Sequence, residues 1–463
     1  MWSIRDMRII LPARAISTAG SAVTTVALLL HLHDTGAGGL AIAALMACTA
    51  IPAIAAIGIA GRVADARDSR AVLAWSAAIQ VAGCLALVAS QSLWLVYPIT
   101  IAMHSAAAFG QPTWAALVPR ASGEALIGRA VAWQQGLNAV AAPTGMALGG
   151  LLVSLGDIRW TFVVDAATFG VLLLAGLFLR TRRNGPGERA TGKVASRAAE
   201  SPRPRWNDGL AALRSDVVLW PLFLALMPMV LLVEGINPAE IFLARDELGA
   251  SALQYGLTDV FAGTGAVIGS FLAGRRSGER FWVRGTTTGF TVACAAIVVA
   301  GLMPSFWPYV AMMLVVAGGA GVGNACIGAL LMTRTPDADR GKVQAALNAV
   351  ARVFSLSALA LGGAAIGVVG PRAVFIAGGL GGVGVLAAAV AVLASRRASS
   401  GATAARTDAG SDLARVLGDP EDDLVAHALV DAQRAGRVVE VDTERGLVEP
   451  ESGELAKARG DQG

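Results

Sequence analysis

Ionisable side chains stand inside stretches otherwise built of Ala, Leu, Val, Ile and Gly: Arg14, His104, Asp165, Glu234, Asp259 and Arg352. A charge among apolar neighbours is expensive, so each is a candidate for function or for a specific partner. Asp165, Asp259, Glu234 and His104 have the chemistry to take up and release protons. Arg14 and Arg352 suit an anionic group on a ligand or an acidic partner. Gln134, Gln135 and Asn138 crowd into five residues, more than helix packing requires, and Asn324 and Asn348 stand singly. With the two arginines they are candidates to line a cavity, and Trp114 and Trp133 offer stacking surfaces.

Catalysis finds no footing in these residue types. No HExxH, GxSxG or GxxxxGK[ST] pattern occurs, which excludes the common hydrolases and direct ATP drive. Cys48, Cys84, Cys294 and Cys326 lie in apolar stretches without metal-ligand spacing, so neither a disulfide framework nor a zinc site is expected. No enzyme activity, cofactor, metal or nucleic-acid partner is predicted.

The elements that must hold these side chains are membrane spans. Of 463 residues 55% are apolar and only 15% charged. A spanning helix needs about 20 mostly apolar residues. Such segments fall at 9–31, 38–60, 71–90, 93–117, 130–154, 160–179, 217–236, 252–273, 285–303, 306–332, 343–368 and 373–394. The fold class expected is therefore all-α and membrane-embedded, with twelve transmembrane helices in two six-helix bundles. Residues 1–179 form the first bundle, 180–216 a linker, 217–397 the second bundle and 398–463 a tail. The first segment is too long for a signal-peptide core and reads as a span.

Lys and Arg accumulate on cytoplasmic loops. With both termini inside, 25 basic residues fall on inner segments and three on outer ones, Arg159, Arg245 and Arg372. In this orientation Asp165 and Asp259 lie some five to eight residues inside the outer surface. Glu234 ends span 7 near that surface as a gate candidate. Arg14 enters two turns from the inner side, and Arg352 stands about ten residues into span 11, where it cannot easily snorkel.

The two bundles are copies. Ala60-Gly61-Arg62 recurs as Ala273-Gly274-Arg275, and Ala147-Leu148-Gly149-Gly150 as Ala360-Leu361-Gly362-Gly363, each at an offset of 213 residues. Gly128, Arg159 and Phe162 return as Gly341, Arg372 and Phe375. A duplicated membrane bundle implies two bodies that move against each other, which is how a transporter alternates access. Gly145, Gly149 and Gly150, with Gly362 and Gly363, are expected to let helices approach closely. Asp65, Asp165 and Arg352 have no charged counterpart at the offset and mark where the halves differ.

The linker is rich in Arg, Pro and Ser, and its end, from Trp206, places Trp206, Leu210 and Leu213 at helical spacing, as a short helix at the membrane surface would. From residue 398 the tail carries 14 acidic and 7 basic side chains. Leu424 to Ala435 has the pattern of a short amphipathic helix, and the stretch from Arg437 suits a small hairpin turning near Gly446. A partly disordered, solvated extension is the expectation for the rest.

One loop carries a signature. Gly61, Asp65 and Arg70, between spans 2 and 3, resemble the helix 2–3 motif of the major facilitator superfamily, with Ala66, Asp68 and Ser69 departing from it. The resemblance implies a conformational latch in which Asp65 meets a helix end in the other half, aided by Arg62, Arg67 and Arg70. It also implies twelve helices and alternating access. Gly136, Pro143, Gly145, Gly149 and Gly150 are similar to the Gly and Pro signature of proton-coupled exporters in that superfamily, without its closing Pro. Strings at Phe109–Pro119, Val164–Phe169, Leu248–Gly256 and Arg340–Val343 resemble the bacterial enterobactin and macrolide exporters. The Arg usual in helix 4 of drug–proton exporters is absent, with His104 nearby.

The reading is a monomeric secondary transporter in a bacterial plasma membrane. It exchanges protons for an exported amphipathic or siderophore-like small molecule, with the lipid bilayer as its other partner. Import or facilitated diffusion of a metabolite is the alternative within transport. A receptor signalling through the tail is the alternative from another class.

Overall fold

The computed structural model describes residues 4–123, 126–181, 206–336, 339–392, 440–442 and 447–449. Among these, twelve helices are long and apolar enough to cross a membrane. The first bundle holds α1 (Arg5–Asp34), α2 (Gly39–Ala66), α3 (Ser69–Ala89), α4 (Leu93–Ser122), α5 (Ile127–Leu155) and α6 (Arg159–Phe178). A short α7 (Trp206–Ser215) precedes α8 (Leu219–Glu234) and α9 (Asn237–Phe242), which runs into a π-helical turn, Leu243–Glu247. Then follow α10 (Ala252–Gly274), α11 (Glu279–Leu302), α12 (Phe306–Arg334), α13 (Arg340–Val369) and α14 (Pro371–Val392).

Loops at one end of the bundle carry most of the arginines, and this is called the basic end here; the opposite one is the far end. Two far-end turns repeat the internal duplication in backbone detail: Gly36 and Gly249, 213 residues apart, both take positive φ, 76° and 64°. An L side chain at either would be strained.

Span 7 is longer than its sequence suggests. Glu234, Gly235 and Asn237 interrupt the apolar run and make it read as ending at 236, yet the span continues from Leu219 to Glu247. The break is bridged locally: Asn237 Nδ2 donates to Glu234 Oε2 at 2.8 Å, and Pro238 sits in the first turn of α9, where a missing N–H costs nothing. Glu234 therefore stands at mid-span, not near the far end. α7 also does more than lie on a surface, since a Cβ at Gly209 would run into the Lys342 carbonyl of α13.

Packing within each bundle follows the duplication. In the first, α1 packs on α5, α2 on α4 and α3 on α4; in the second, α8 packs on α13, α10 on α12 and α11 on α12. Small residues make these contacts close. A Cβ at Gly145 or Gly149 would strike the α1 backbone at Ala19 or Val23, and one at Gly362 the backbone of Gly235 before α9. Dispersion and interhelical hydrogen bonds, not water exclusion, reward such approach in lipid. The principal core joins Phe162 and Phe169 of α6 to Val26 through Leu30 of α1, and Tyr309 and Phe375 in the second bundle.

In the tail, Glu440–Asp442 and Leu447–Glu449 pair as antiparallel strands β1 and β2, with Val441 opposite Val448. This is the hairpin expected beyond Arg437. Its turn, the Leu424–Ala435 segment and most of the 180–216 linker lie outside the described residues.

Candidate functional site

Contacts between the halves are concentrated at the far end. α2 packs on α13 and α5 on α10. A Cβ at Gly39 would lie 2.6 Å from the Gly363 carbonyl oxygen, and one at Gly150 would collide with the carbonyl of Ala252. These are one contact made twice, because Ala252 is Gly39 plus 213 residues and Gly363 is Gly150 plus 213. Farther toward the basic end the described glycines of the same four helices make no such approach: an added Cβ at Gly61, Gly128, Gly136, Gly274 or Gly341 would meet nothing within 4 Å.

A polar clasp reinforces the far-end seal. His33 Nε2 lies 2.8 Å from Asp246 Oδ1, and Arg245 Nη2 donates to Asp34 Oδ1 at 3.0 Å. The His33 ring also packs on Phe242, centroids 5.5 Å apart. Arg372 holds Glu247 and donates to the carbonyls of Gly301 and Met303 at 3.1 and 3.0 Å, bracing the clasp from within the second bundle.

Inside the first bundle lies a polar crevice. Its outer part, of about 280 Å³, is lined by Arg14, Gln80, His104, Gln111 and Trp114 among others. A smaller pocket of about 70 Å³, lined by Thr24, Thr100 and Asp165, continues it, and Ser21, Gln80, His104, Ala107 and Phe169 border both. Asp165 is fully buried at 0% exposure and accepts from Thr24 Oγ1 at 2.7 Å, Thr168 Oγ1 at 3.0 Å and Cys84 Sγ at 3.6 Å. It thereby ties α6 to α1 and α3. His104 Nδ1 lies 3.0 Å from the Thr100 carbonyl, which can only accept, so the ring proton sits on Nδ1. The Thr100 hydroxyl is buried without a partner among the described residues.

The crevice thus gathers Arg14, His104 and Asp165 from the predicted residues. The neighbouring Asn138 reaches toward it, 3.5 Å from Thr18 Oγ1. Gln134 is half-buried and Gln135 exposed on α5, outside the crevice lining. Asn324 and Asn348 are exposed on α12 and α13, with Gln344 Nε2 donating to Asn348 at 3.4 Å. Arg352 is also exposed, on α13.

A second cluster, in the other bundle, holds the predicted Asp259 together with an acid that sequence reasoning missed. Glu240 lies close enough to Asp259 for the two charges to interact, and Tyr309 Oη donates to Glu240 Oε1 at 3.4 Å. Tyr255 borders both acids. Glu240 lies beyond the apolar run that ends at residue 236, so hydropathy alone leaves it outside span 7.

At the basic end, Arg62 is exposed, while Arg70 Nη2 donates to the Leu179 carbonyl at 2.6 Å, capping the end of α6 in its own half. Asp68 caps α3 through the Arg70 N–H at 3.0 Å. The Asp65 side chain lies outside the described residues. In the second bundle, Arg334 joins Asp216 at 2.9 Å to Glu279 at 2.7 Å. Burial pushes the Asp216 carboxyl up, but the N–H groups of Leu219 and Val218 and the Arg334 guanidinium outweigh it and hold it below its ordinary value.

The sequence profile of the Major Facilitator Superfamily matches residues 10–239 and again 222–430. The chain belongs to the major facilitator superfamily. Its fold is also that of solved transporters. A nucleoside transporter, NupG, aligns at TM-score 0.62 and 14% identity over 84% of this chain and 99% of that one. A POT family transporter in complex with a thioalcohol-conjugated peptide aligns at TM-score 0.62 and 13% identity, over 84% and 96%. A bacterial homologue of the human lysosomal transporter Spinster, inward-facing and unoccupied, aligns at TM-score 0.58 and 15% identity, over 84% and 95%. A comparison with curated protein sequences finds no match. At such identities the likeness concerns the fold. Family and fold together make this chain a membrane-embedded secondary transporter and not an enzyme.

Proposed function

We propose that this superfamily member exports an amphipathic small molecule, drug-like or siderophore-like, from the cytoplasm of a bacterium in exchange for protons. The observation that carries the reading is the asymmetry of the seal. The halves are clasped and closely packed at the far end, whereas at the basic end the described glycines of the same helices make no close contact. The charge bias favours the basic end, with both termini, as the cytoplasmic one, so a molecule sealed at the far end would load from inside. A crevice with both polar groups and the apolar walls of Leu73, Trp114 and Phe169 suits an amphipathic cargo. The strings that resemble those of enterobactin and macrolide exporters favour this direction.

Proton coupling draws support from Glu240 and Asp259. Two carboxylates that repel each other are relieved by one shared proton, and rocking of the halves would change which side reaches them. Asp165, Glu234 and His104 are the further candidates. The latch at Gly61, Asp65 and Arg70 would close the basic end in the opposite state. The experiment is uptake of a labelled cargo into energised inverted vesicles. Uptake abolished by an uncoupler supports the reading. Uptake indifferent to the proton gradient removes the coupling, and accumulation only in right-side-out vesicles makes the protein an importer.

A further inference from the structure

We infer that the crevice of the first bundle is an anion site, with Arg14 as the group that receives a carboxylate, sulfonate or phosphate on an otherwise apolar cargo. The inference rests on the transport reading above and adds the charge of the substrate to it. Three observations carry it. Arg14 Nη2 is aimed by a hydrogen bond to Gln111 Oε1 at 2.9 Å, which orients the guanidinium without neutralising it. Its Nη1 is shut off from solvent and has no acceptor among the described residues, and no carboxylate there lies within ion-pair distance. A buried donor left in this state is an unmet demand that a bound oxyanion meets, and the planar fork of an arginine suits two oxygens at once.

The acid in the crevice wall does not serve as the partner. Asp165 is held by Thr24, Thr168 and Cys84, and Thr24 lies ten residues beyond Arg14 on α1, about 15 Å along the helix axis. Between them α1 presents Ser17 and Ser21, neutral hydroxyls that can donate to an anion, while Trp114 and Leu73 supply an apolar wall. The cavity of about 280 Å³ takes a cargo the size of a bicyclic aromatic acid. Arg352 offers no such site, being exposed on α13.

The test is isothermal titration of the purified full chain, in lipid nanodiscs, with two probes of matched shape: naphthalene-2-sulfonate and 2-naphthylmethylammonium. Wild type should bind the sulfonate at least tenfold more tightly than the ammonium. Arg14→Gln should weaken the sulfonate at least tenfold without weakening the ammonium, and Arg14→Lys should recover part of the loss. Ser17→Asp, which places a carboxylate one turn from Arg14 on the same helix face, should weaken the sulfonate as much and serves if Arg14→Gln does not fold. Equal affinity of wild type and Arg14→Gln for the sulfonate overturns the proposal. Preference for the ammonium, or no binding of either probe by wild type, does the same. Arg14-dependent binding without export would sink the export reading alone, whereas export with no anion preference would sink only this site.

Discussion

His33 Nε2 meets Asp246 Oδ1 at 2.8 Å, and the two residues stand 213 positions apart, the offset of the internal repeat. The contact therefore joins equivalent positions at the ends of equivalent helices, across the pseudo-twofold that relates the bundles. Beside it Asp34 accepts from Arg245 at 3.0 Å. A duplicated protein that kept identical residues here would face His with His or Asp with Asp. Divergence of the two copies turned a symmetric encounter into an attractive one.

Removing the clasp should release the far end. Exposed ion pairs contribute roughly 0.2–1 kcal/mol each. Arg245→Gln combined with Asp246→Asn is therefore expected to raise the population with an open far end by about 2- to 30-fold. Distances between spin labels at Ala37 and Val369, in a background with the native cysteines replaced, would report it. An unchanged distribution would mean that the glycine contacts alone hold the seal.

Those contacts make a complementary prediction. A Cβ at Gly363 would lie 2.6 Å from the Ala43 Cβ and 2.8 Å from the Gly39 carbonyl oxygen. Gly363→Val should thus wedge α2 from α13 and disfavour the far-end-closed state by about 1–3 kcal/mol. Within-bundle packing is spared, since Gly363 faces the other half. Transport is expected to fall at least fivefold with normal expression, and a far-end cysteine at Ala37 should react faster with a membrane-impermeant maleimide.

Asp165 is the acid whose bonds are most fully accounted for. Asp165→Ala strands the hydroxyls of Thr24 and Thr168 in a buried place and should cost about 2–4 kcal/mol. Asp165→Asn keeps the shape and one acceptor and should cost less than half of that. Thermal unfolding in detergent would rank them. If Asp165 only ties α1, α3 and α6 together, Asp165→Asn retains uncoupler-sensitive transport, and loss of that sensitivity at native stability would move Asp165 into the coupling machinery.

The spans, the duplication and the glycine contacts were legible in the chain because each leaves a periodic or offset trace. Gly150 and Gly363 stand out against apolar runs, and their 213-residue spacing needs no structure to see. The crevice was half legible. Arg14 was conspicuous, but Ser17, Ser21 and Thr24, at spacings of three and four along the same face of α1, look like ordinary packing residues, since helical Ser and Thr often bond to a carbonyl one turn back. Thr18 does so here, donating to the Arg14 carbonyl at 2.9 Å. Read as a stripe with Arg14, they would have marked the wall. Glu240 was hidden for another reason: Glu234, Gly235 and Asn237 break the apolar run, while backbone hydrogen bonds and the Asn237–Glu234 side-chain bond carry the span across it.

The basic end offers a pH test. Asp216 caps α8 through the N–H groups of Val218 and Leu219, both at 2.8 Å, and receives Arg334 at 2.9 Å. Its carboxyl is held below the ordinary carboxylate range in the folded protein. A lowered folded pKa means that the unfolded chain binds the proton first as pH falls. The stabilisation is thus complete above the ordinary value of about 4 and disappears as pH drops through the lowered one. Asp216→Ala should cost about 1 kcal/mol at neutral pH, a typical loss for a helix cap. As pH falls through that lowered value its unfolding temperature should converge on that of wild type, because the protonated wild-type carboxyl no longer holds Arg334 as an ion pair. Parallel curves down to pH 2 in thermal unfolding of the detergent-purified protein would show that Asp216 acts through shape and not through its charge.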